Sequence, residues 1–194
     1  MMNLNLKQFP ILETERLQLR CLIDNDAKAL FRLRSDEKVM RFMDRPPFTS
    51  EDQAIEVIRK DHAGFDAGDN INWAISFKTA PEMIGYVGFW RLFKEHYRAE
   101  VGYALSPDFW GTGIMNEALV KIIEFAFKSC QFHSIEGNVS PSNLASIHLL
   151  EKVGFRREAH FRENFFFNGK FLDSYIYSLL ERDFNRVLPA VKVR

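Results

Sequence analysis

Apolar residues recur at helical spacing in four segments of the chain, which predicts four amphipathic helices. The first begins at Asp24, interpreted as its N-cap, and the second at Ser50, which has the spacing of a capping box with Gln53. The last is closed by Gly154, a residue suited to the left-handed conformation at helix ends. The four predicted helices span about residues 24–34, 50–67, 115–126 and 143–153.

Segments of alternating or continuous apolar residues between these helices predict strands. The pair Asn168-Gly169 has the signature of a two-residue hairpin turn between the last two strands. The resulting order, β-α-α-β-β-β-α-β-α-β-β, indicates a mixed α/β domain built around a central sheet. The predicted strands span about residues 13–22, 72–77, 83–93, 99–105, 134–139, 155–161 and 171–179.

The length of 194 residues fits a single domain. We expect this domain to cover residues 1–194, with a core over about 12–184 and a tail over 185–194. Hydrophobic residues make up 46% and charged residues 27%, which is typical of a soluble globular protein. The 26 basic and 26 acidic residues cancel, so the composition does not favour direct binding to nucleic acid or to an anionic membrane.

Three absences in the sequence bear on the compartment and on metals. No apolar run approaches the roughly 18 residues that a membrane helix needs. The N-terminal residues lack the apolar centre of a secretory signal. The two cysteines, Cys21 and Cys130, belong to no CxxC motif and to no Cys/His cluster, which argues against a zinc site. We therefore expect a cytoplasmic protein without a bound metal.

The segment AEVGYALSPDFWGTGIMNEA, residues 99–118, places two glycines between a strand and a helix. The predicted strand ends near Leu105, Gly111 and Gly113 follow in a tight loop, and a helix begins directly afterwards. The first N–H groups of a helix lack partners and lie at its positive end, so this loop suits a phosphate or pyrophosphate. An ordinary strand-to-helix turn is the alternative, because the segment has neither the Lys-Ser/Thr of a P-loop nor the spacing GxGxxG.

Three further residues extend this candidate site. Gly102 lies inside a predicted strand, where a bulge, the approach of a ligand or a bulky neighbour would explain it. Asn143 lies at the start of a helix, where capping is the simpler role, and Ser146 follows one turn later on the same side. A strand end and a helix start could together hold an elongated ligand with phosphates at one end.

Four segments together resemble the GCN5-related N-acetyltransferase (GNAT) family, and in particular its branch of ribosomal-protein alanine and serine N-acetyltransferases. The resemblance covers about Leu12 to Phe184. It implies a mixed, mostly antiparallel sheet of six to seven strands flanked by about four helices. The segments are ETERLQLR at 13–20, AEVGYALSPDFWGTGIMNEA at 99–118, NLASIHLLEKVGF at 143–155 and NGKFLDSYIYSLL at 168–180.

The resemblance also implies where acetyl-CoA, the cosubstrate of the family, would bind. Its pantetheine arm would follow the backbone at the end of a strand, and Asn143 would contact the arm near the sulfur. Its pyrophosphate would rest on the glycine loop. The strand residues are Tyr103, Ala104 and Leu105, and the loop residues are Trp110, Gly111, Thr112, Gly113, Ile114, Met115 and Asn116.

Two positions depart from the family's pattern. The loop pattern often opens with Gln or Arg, whereas this chain has Asp108 there. Many relatives place a tyrosine seven residues after the asparagine, as the acid that protonates the leaving thiolate, whereas this chain has Leu150. Ser146 is the expected substitute, as in the ribosomal-protein branch.

The implied reaction is direct attack of a neutral amine on the thioester. An α-amine has a reference pKa of about 7.7–8.0 and a lysine amine about 10.4, so an α-amine needs less help at neutral pH. Glu100 is the first candidate for the base that removes the proton, directly or through water, and Glu163 is the second. A solvated charge or an ion pair is the alternative role of Glu100. A backbone N–H near Tyr103 or Ala104 would stabilise the oxyanion.

The expected acceptor is the N-terminal α-amine of a protein, such as a ribosomal protein. A small amine (a polyamine, an amino acid or an aminoglycoside) is the first alternative, and a non-catalytic acyl-CoA-binding module is the second. A monomer and a homodimer are both compatible with the sequence. The aromatic cluster could wall an acceptor groove, form a dimer contact or fill the core, and four carboxylates could attract a cationic acceptor. The cluster is Phe161, Phe165, Phe166 and Phe167, and the carboxylates are Asp36, Glu37, Asp44 and Glu51.

Overall fold

The computed structural model of the protein describes residues 8–185. All but the first residue of the tail predicted for 185–194 lies outside this range. Near the end of the described residues, Phe184 is buried and packs against Phe127 with a ring-centroid distance of 5.6 Å.

The described residues form one eight-stranded sheet with five α-helices, which confirms the predicted mixed α/β class. The strands follow the order β1-β2-β3-β4-β5-β6-β8-β7, and every neighbouring pair is antiparallel except β5 and β6. The strands are β1 Leu12–Glu13, β2 Leu17–Arg20, β3 Ile71–Phe77, β4 Ala80–Phe93, β5 Arg98–Leu105, β6 Ser134–Val139, β7 Arg156–Phe167 and β8 Lys170–Leu180. The helices are α1 Ala27–Ser35, α2 Glu37–Met40, α3 Glu51–Ala67, α4 Ile114–Lys128 and α5 Leu144–Val153.

The strand and helix counts exceed the prediction for local reasons. The single strand predicted over 13–22 is divided by a turn in which the Thr14 N–H donates to the Leu17 carbonyl at 3.0 Å, which gives β1 and β2. The extra helix is the single turn α2, whose first N–H groups are capped by the Asp36 carboxylate.

The end residues of the helices confirm one capping prediction and correct two. Gly154 has the expected left-handed φ of 106° after α5. Asp24 instead lies in a short 3₁₀ turn before α1. Ser50 is the N-cap residue of α3, but its side chain makes no capping hydrogen bond, and the Gln53 amide oxygen accepts from the Thr49 N–H at 2.7 Å, so the predicted capping box does not form.

The sheet separates two apolar layers. Helices α4 and α5 cover one face, around residues such as Trp73 and Val101, and this is called the α4 face. Helices α1 and α3 cover the other face, around Ala74 and Ala104, and this is called the α3 face. Since successive residues of a strand point to opposite faces, β5 directs odd-numbered residues to the α4 face and even-numbered residues to the α3 face.

The parallel strands β5 and β6 separate near the middle of the sheet. Their ladder has three pairs and ends at Glu100 and Glu136. Beyond this point β5 stays paired with β4 as far as Gly85 and Leu105, while β6 stays paired with β8. The separation, called the fork here, leaves one edge of β5 without a strand partner over residues 101–105.

Candidate functional site

The glycine loop lies between the end of β5 and the start of α4, as the sequence predicts. Gly111 and Gly113 have φ values of 74° and 79°, a region that L side chains rarely adopt. Gly113 is the N-cap of α4, a helix of 15 residues whose first N–H groups have no partner within the helix. The loop can therefore present several backbone donors to an anion at the positive end of the helix.

Trp110 fixes the loop to the strand before it. Its indole Nε1 donates a hydrogen bond at 2.8 Å to the carbonyl of Leu105, which is the last residue of β5. Within the loop, the Thr112 hydroxyl donates a hydrogen bond to the Phe109 carbonyl at 2.6 Å. The Asn116 side-chain oxygen is buried without a hydrogen-bond partner among the described residues. Asp108 lies on the surface before the loop.

An arginine from the turn between β1 and β2 contacts the loop, and sequence reasoning missed it. The Arg16 Nε lies 2.7 Å from the Glu117 carboxylate, and its Nη1 donates to the Thr112 carbonyl at 3.2 Å. Thr14 also hydrogen-bonds to Glu117. Burial alone would raise the pKa of the Glu117 carboxyl, but the contacts with Thr14 and Arg16 together lower it below its usual value. The ETER segment was noted only as a family feature, and nothing in its spacing indicates a partner about a hundred residues away.

Tyr103 and Ser146 meet on the α4 face. Their hydroxyl oxygens lie 2.7 Å apart, and burial raises the pKa of Tyr103 to about 12, so the phenol is neutral. Asn143 is the N-cap of α5, and its side-chain oxygen accepts from the Ser146 N–H at 3.2 Å. The simpler capping role of Asn143 is therefore present, and the cap holds Ser146 in place beside the fork.

The bulge expected near Gly102 lies in the neighbouring strand. The register between β4 and β5 shifts between Phe89 and Arg91, which makes Trp90 the extra residue. A Cβ on Gly102 would lie 3.1 Å from the Trp90 ring. Packing against a bulky neighbour is therefore the observed reason for the glycine.

Glu100 lies at the fork and is 6% exposed. Burial raises the pKa of its carboxyl, and this effect outweighs the opposing effect of Arg91, whose Nη1 lies 3.7 Å away. The neighbouring Glu136 also raises the pKa, while pairing with Arg98 at 3.5 Å. Glu100 is thus both a member of an ion pair and a buried carboxyl with a raised pKa. A carboxyl of this kind can act as a base.

The structure does not bring the second candidate base to the fork. Glu163 is exposed in a bulge of β7, with a φ of 52°, and its N–H donates to Asp173 at 2.9 Å. Strands β6 and β8 lie between this residue and Glu100. Leu150 is 2% exposed and belongs to the apolar layer on the α4 face, so its side chain contributes to packing of the core.

The aromatic cluster is largely exposed, so of its three possible roles the structure does not support filling the core. Strand β7 continues to Phe167, beyond the predicted end, so the cluster lies within a strand and not between two strands. Phe161, Phe165 and Phe166 are 51%, 42% and 60% exposed, because β7 is the last strand of the sheet and none of the helices within residues 8–185 covers this part of the hairpin.

Of the four carboxylates considered for a cationic acceptor, one lines the cavity beside α1. Asp36 lines a cavity of about 370 Å³ with Arg32 and Glu82, whereas the other three are exposed and do not line it. Within residues 8–185, no group of three or more His, Cys, Asp and Glu side chains is arranged to hold a metal ion. No helix of the same range is long and apolar enough to cross a membrane.

Comparison with known proteins identifies the family. The acetyltransferase (GNAT) domain family matches residues 16–156. The uncharacterized N-acetyltransferase YoaA of Bacillus subtilis is 36% identical over 173 residues, which are 89% of this chain and 98% of YoaA. A GNAT-family acetyltransferase structure from Bacillus anthracis has a TM-score of 0.80 and 25% identity, covering 89% of this chain and 99% of its own.

Two further relatives have named acceptors. The spermidine N(1)-acetyltransferase of Vibrio cholerae is 27% identical over 88% of this chain and 97% of its own length. The ribosomal protein uS5-alanine N-acetyltransferase of Escherichia coli is 28% identical over 53% of each chain. The acceptors differ between these relatives, while the acetyltransferase class is common to them. The chain therefore belongs to the GNAT family of acetyltransferases, as its sequence segments predicted.

Proposed function

We propose that the protein is an acetyl-CoA-dependent N-acetyltransferase that transfers acetyl directly to a primary amine. The N-terminal α-amine of a protein, such as a ribosomal protein, is the first candidate acceptor. The observation that carries this proposal is the arrangement on β5. That strand has a buried carboxyl on one face, a tyrosine–serine pair on the other, a free backbone edge at the fork and a glycine loop at its end.

The described residues fit acetyl-CoA along this strand. The pyrophosphate would accept hydrogen bonds from the backbone of the glycine loop, residues 111–116, at the positive end of α4. The pantetheine amides would pair with the free edge of Tyr103, Ala104 and Leu105, as an added strand does. Asn143 borders the same fork, so it would lie near the sulfur.

The reaction then follows from the two faces of β5. Glu100 removes a proton from the ammonium group of the acceptor, and the amine nitrogen attacks the thioester carbonyl carbon. The carbonyl oxygen becomes an oxyanion and accepts a hydrogen bond from a backbone N–H at Tyr103 or Ala104. The C–S bond breaks, and the attached nitrogen releases its second proton to solvent. The thiolate takes a proton from the Ser146 hydroxyl as that hydroxyl takes one from solvent, and Glu100 gives up its proton when the products leave. Holding amine and thioester together supplies the rest of the acceleration.

An α-amine acceptor is favoured by its chemistry. Its reference pKa of about 7.7–8.0 leaves an appreciable neutral fraction at neutral pH, which suits a single carboxylate base without a metal. The uS5-alanine N-acetyltransferase acts on such an amine. A small amine such as a polyamine is the second candidate, because the spermidine enzyme matches this chain along nearly its whole length.

Three further expectations complete the proposal. One continuous sheet agrees with a single N-acetyltransferase domain, with a core over about 12–184. Cys21 and Cys130 are free thiols, which fits the reducing cytoplasm. The exposed hairpin is compatible with a monomer or with a homodimer.

The first experiment is calorimetric titration of the purified protein with acetyl-CoA, with desulfo-CoA and dephospho-CoA as controls. We expect one site with micromolar affinity, followed by CoA release when peptides with N-terminal Ala or Ser, or spermidine, are added. The absence of binding at millimolar acetyl-CoA would overturn the proposal. Binding without CoA release for any amine would instead identify an acyl-CoA-binding module.

A further inference from the structure

Trp90 is a large aromatic residue on the surface at the fork. It is the extra residue of the bulge in β4, and its side chain is 42% exposed. The ring lies across Gly102, where a Cβ would be 3.1 Å from the ring carbon Cδ1. Gly102 directly precedes Tyr103, where the proposed function places the thioester. The exposed part of the indole therefore borders the α3-face side of the proposed reaction centre.

Arg91 holds this indole in position. Its guanidinium carbon lies 4.3 Å from the centre of the Trp90 ring, a cation–π distance, and its Nη1 lies 3.7 Å from Glu100. Trp90, Arg91 and Glu100 thus form one connected group, although Arg91 is itself 53% exposed. The contact with Arg91 favours one orientation of this tryptophan, which suits a residue that recognises a ligand.

The charges at the fork disfavour a polycation. The two carboxylates on the α3 face, Glu100 and Glu136, already face Arg91 and Arg98, which are both partly exposed. A second ammonium group of a polyamine would therefore lie near the two arginines, and both carboxylates, Glu100 and Glu136, are already paired with them. The carbonyl oxygens of a peptide, in contrast, can accept hydrogen bonds from a guanidinium.

We propose that Trp90 and Arg91 form an acceptor wall that selects a peptide N-terminus over a polyamine. The inference rests on the proposed function and extends it to the class of acceptor. The indole packs against the side chain of the first residue of the peptide, and Arg91 donates to a carbonyl of the peptide. Both are positioning residues, because Glu100 and not the wall handles the proton.

Steady-state kinetics of CoA release tests this wall. The acceptors are a peptide with N-terminal Ser, a peptide with N-terminal Ala, and spermidine, and the variants are Trp90→Ala, Trp90→Phe and Arg91→Glu. We expect Trp90→Ala to raise the KM for peptide roughly tenfold, with the KM for acetyl-CoA changed less than about twofold. Trp90→Phe keeps an aromatic ring and should recover most of this loss. Arg91→Glu should lower the peptide-to-spermidine ratio of kcat/KM by roughly tenfold or more.

Two matched controls separate the wall from general surface effects. Phe171→Ala removes an aromatic ring that is 63% exposed on the hairpin, and Arg59→Gln removes an exposed charge from α3. Neither should change the ratio of the two acceptors.

The outcomes distinguish the inference from the proposed function. A wild-type protein that prefers spermidine, or an Arg91→Glu variant with an unchanged ratio, would overturn the wall while leaving the acetyltransferase intact. If Trp90→Ala and Trp90→Phe each raise the KM for peptide and the KM for acetyl-CoA by the same factor, Trp90 serves folding alone. This result would also overturn the wall. No CoA release by the wild type with any of the amines would overturn the proposed function, and the wall with it.

Discussion

The hydroxyl oxygens of Tyr103 and Ser146 lie 2.7 Å apart, and this contact joins the middle of β5 to the first turn of α5. Burial raises the pKa of Tyr103 to about 12, so the phenol keeps its proton over the working range of an enzyme. A neutral phenol can donate to Ser146 or accept from it. In the proposed reaction this pair fixes the hydroxyl that protonates the thiolate.

Removing this pair should slow turnover without affecting the binding of acetyl-CoA. We expect Ser146→Ala to lower kcat by about 10²-fold, the lower end of the range for general acid–base catalysis, with Kd for acetyl-CoA nearly unchanged. Tyr103→Phe should give a smaller loss, and the double variant should show non-additive effects. Calorimetry and single-turnover kinetics measure both quantities. Ser129→Ala, on the surface after α4, is the control. Equal turnover in Ser146→Ala and the wild type would exclude the acid role.

The pH dependence of the rate should report Glu100. A base must be ionised, so the acid limb of kcat/KM should lie above the ordinary carboxyl pKa, because burial raises the pKa of Glu100. Without this base, only free neutral amine reacts. In the Glu100→Gln variant, the acid limb of the kcat/KM profile should therefore move towards the pKa of the acceptor amine, about 7.7–8.0. The loss of rate should be greatest at pH values below that pKa. A loss of rate that is the same at every pH would argue that Glu100 only positions the acceptor.

The same carboxyl should make stability fall as the pH rises. Since the pKa of Glu100 is higher in the folded state than in the unfolded chain, folding favours its protonated form. Its contribution is present below the unfolded pKa and is lost as the pH rises through the folded pKa. The Tm difference between Glu100→Gln and the wild type should therefore grow in favour of the variant as the pH rises above the unfolded carboxyl pKa of about 4.3. Exposed Glu95→Gln should show no such trend in thermal unfolding.

Arg16 should contribute to the binding of the CoA phosphates. Its guanidinium contacts Thr112 and Glu117 at the start of α4, so it orders the glycine loop and neutralises the Glu117 carboxylate, which would otherwise repel the phosphates. We expect Arg16→Met to weaken acetyl-CoA binding roughly tenfold in calorimetry. Turnover of acetyl-N-acetylcysteamine, a thioester without phosphates, should not change. Arg59→Met is the control, and a similar loss with both thioesters would assign Arg16 to folding.

Gly88 should tolerate no side chain. A Cβ there would lie 2.5 Å from the Ile71 carbonyl oxygen and 2.3 Å from the Asn72 side chain. Because strand β3 would have to move, Gly88→Ala should destabilise the protein by about 2 kcal/mol or more in denaturant unfolding. Gly102→Ala should cost less, since only the exposed Trp90 ring has to shift. An unchanged midpoint for Gly88→Ala would contradict the close approach of the two strands.

Sequence patterns predicted the elements well where a single local rule decides them. The helix ending at Gly154 and the glycine loop with Gly111 and Gly113 both follow from the need for positive φ. The capping box of Ser50 and Gln53 did not form, because the Gln53 amide oxygen accepts from the Thr49 N–H, one residue before the N–H that the box requires. Which of two adjacent N–H groups a glutamine reaches depends on local geometry that spacing in the sequence does not determine.

The site was only partly predictable for a related reason. The family resemblance implied roles for Tyr103 and Glu100, and both lie on one predicted strand, so sequence reasoning could place them together. The contact of Arg16 with Glu117 and the packing of Trp90 on Gly102 depend on strand order and on a bulge. Neither leaves a periodic signal in the sequence, so only the folded chain shows them.

Strand β8 lies between β6 and β7, although it is the last of the three to be synthesised. On the ribosome, β7 and its phenylalanines must therefore emerge before the strand that attaches them to the sheet. The outer edge of β6, one arm of the fork, is also bare until Leu180 has left the exit tunnel. A nascent chain should thus acquire the ability to bind acetyl-CoA in one late step, and a chain released early should be prone to aggregate through its hairpin.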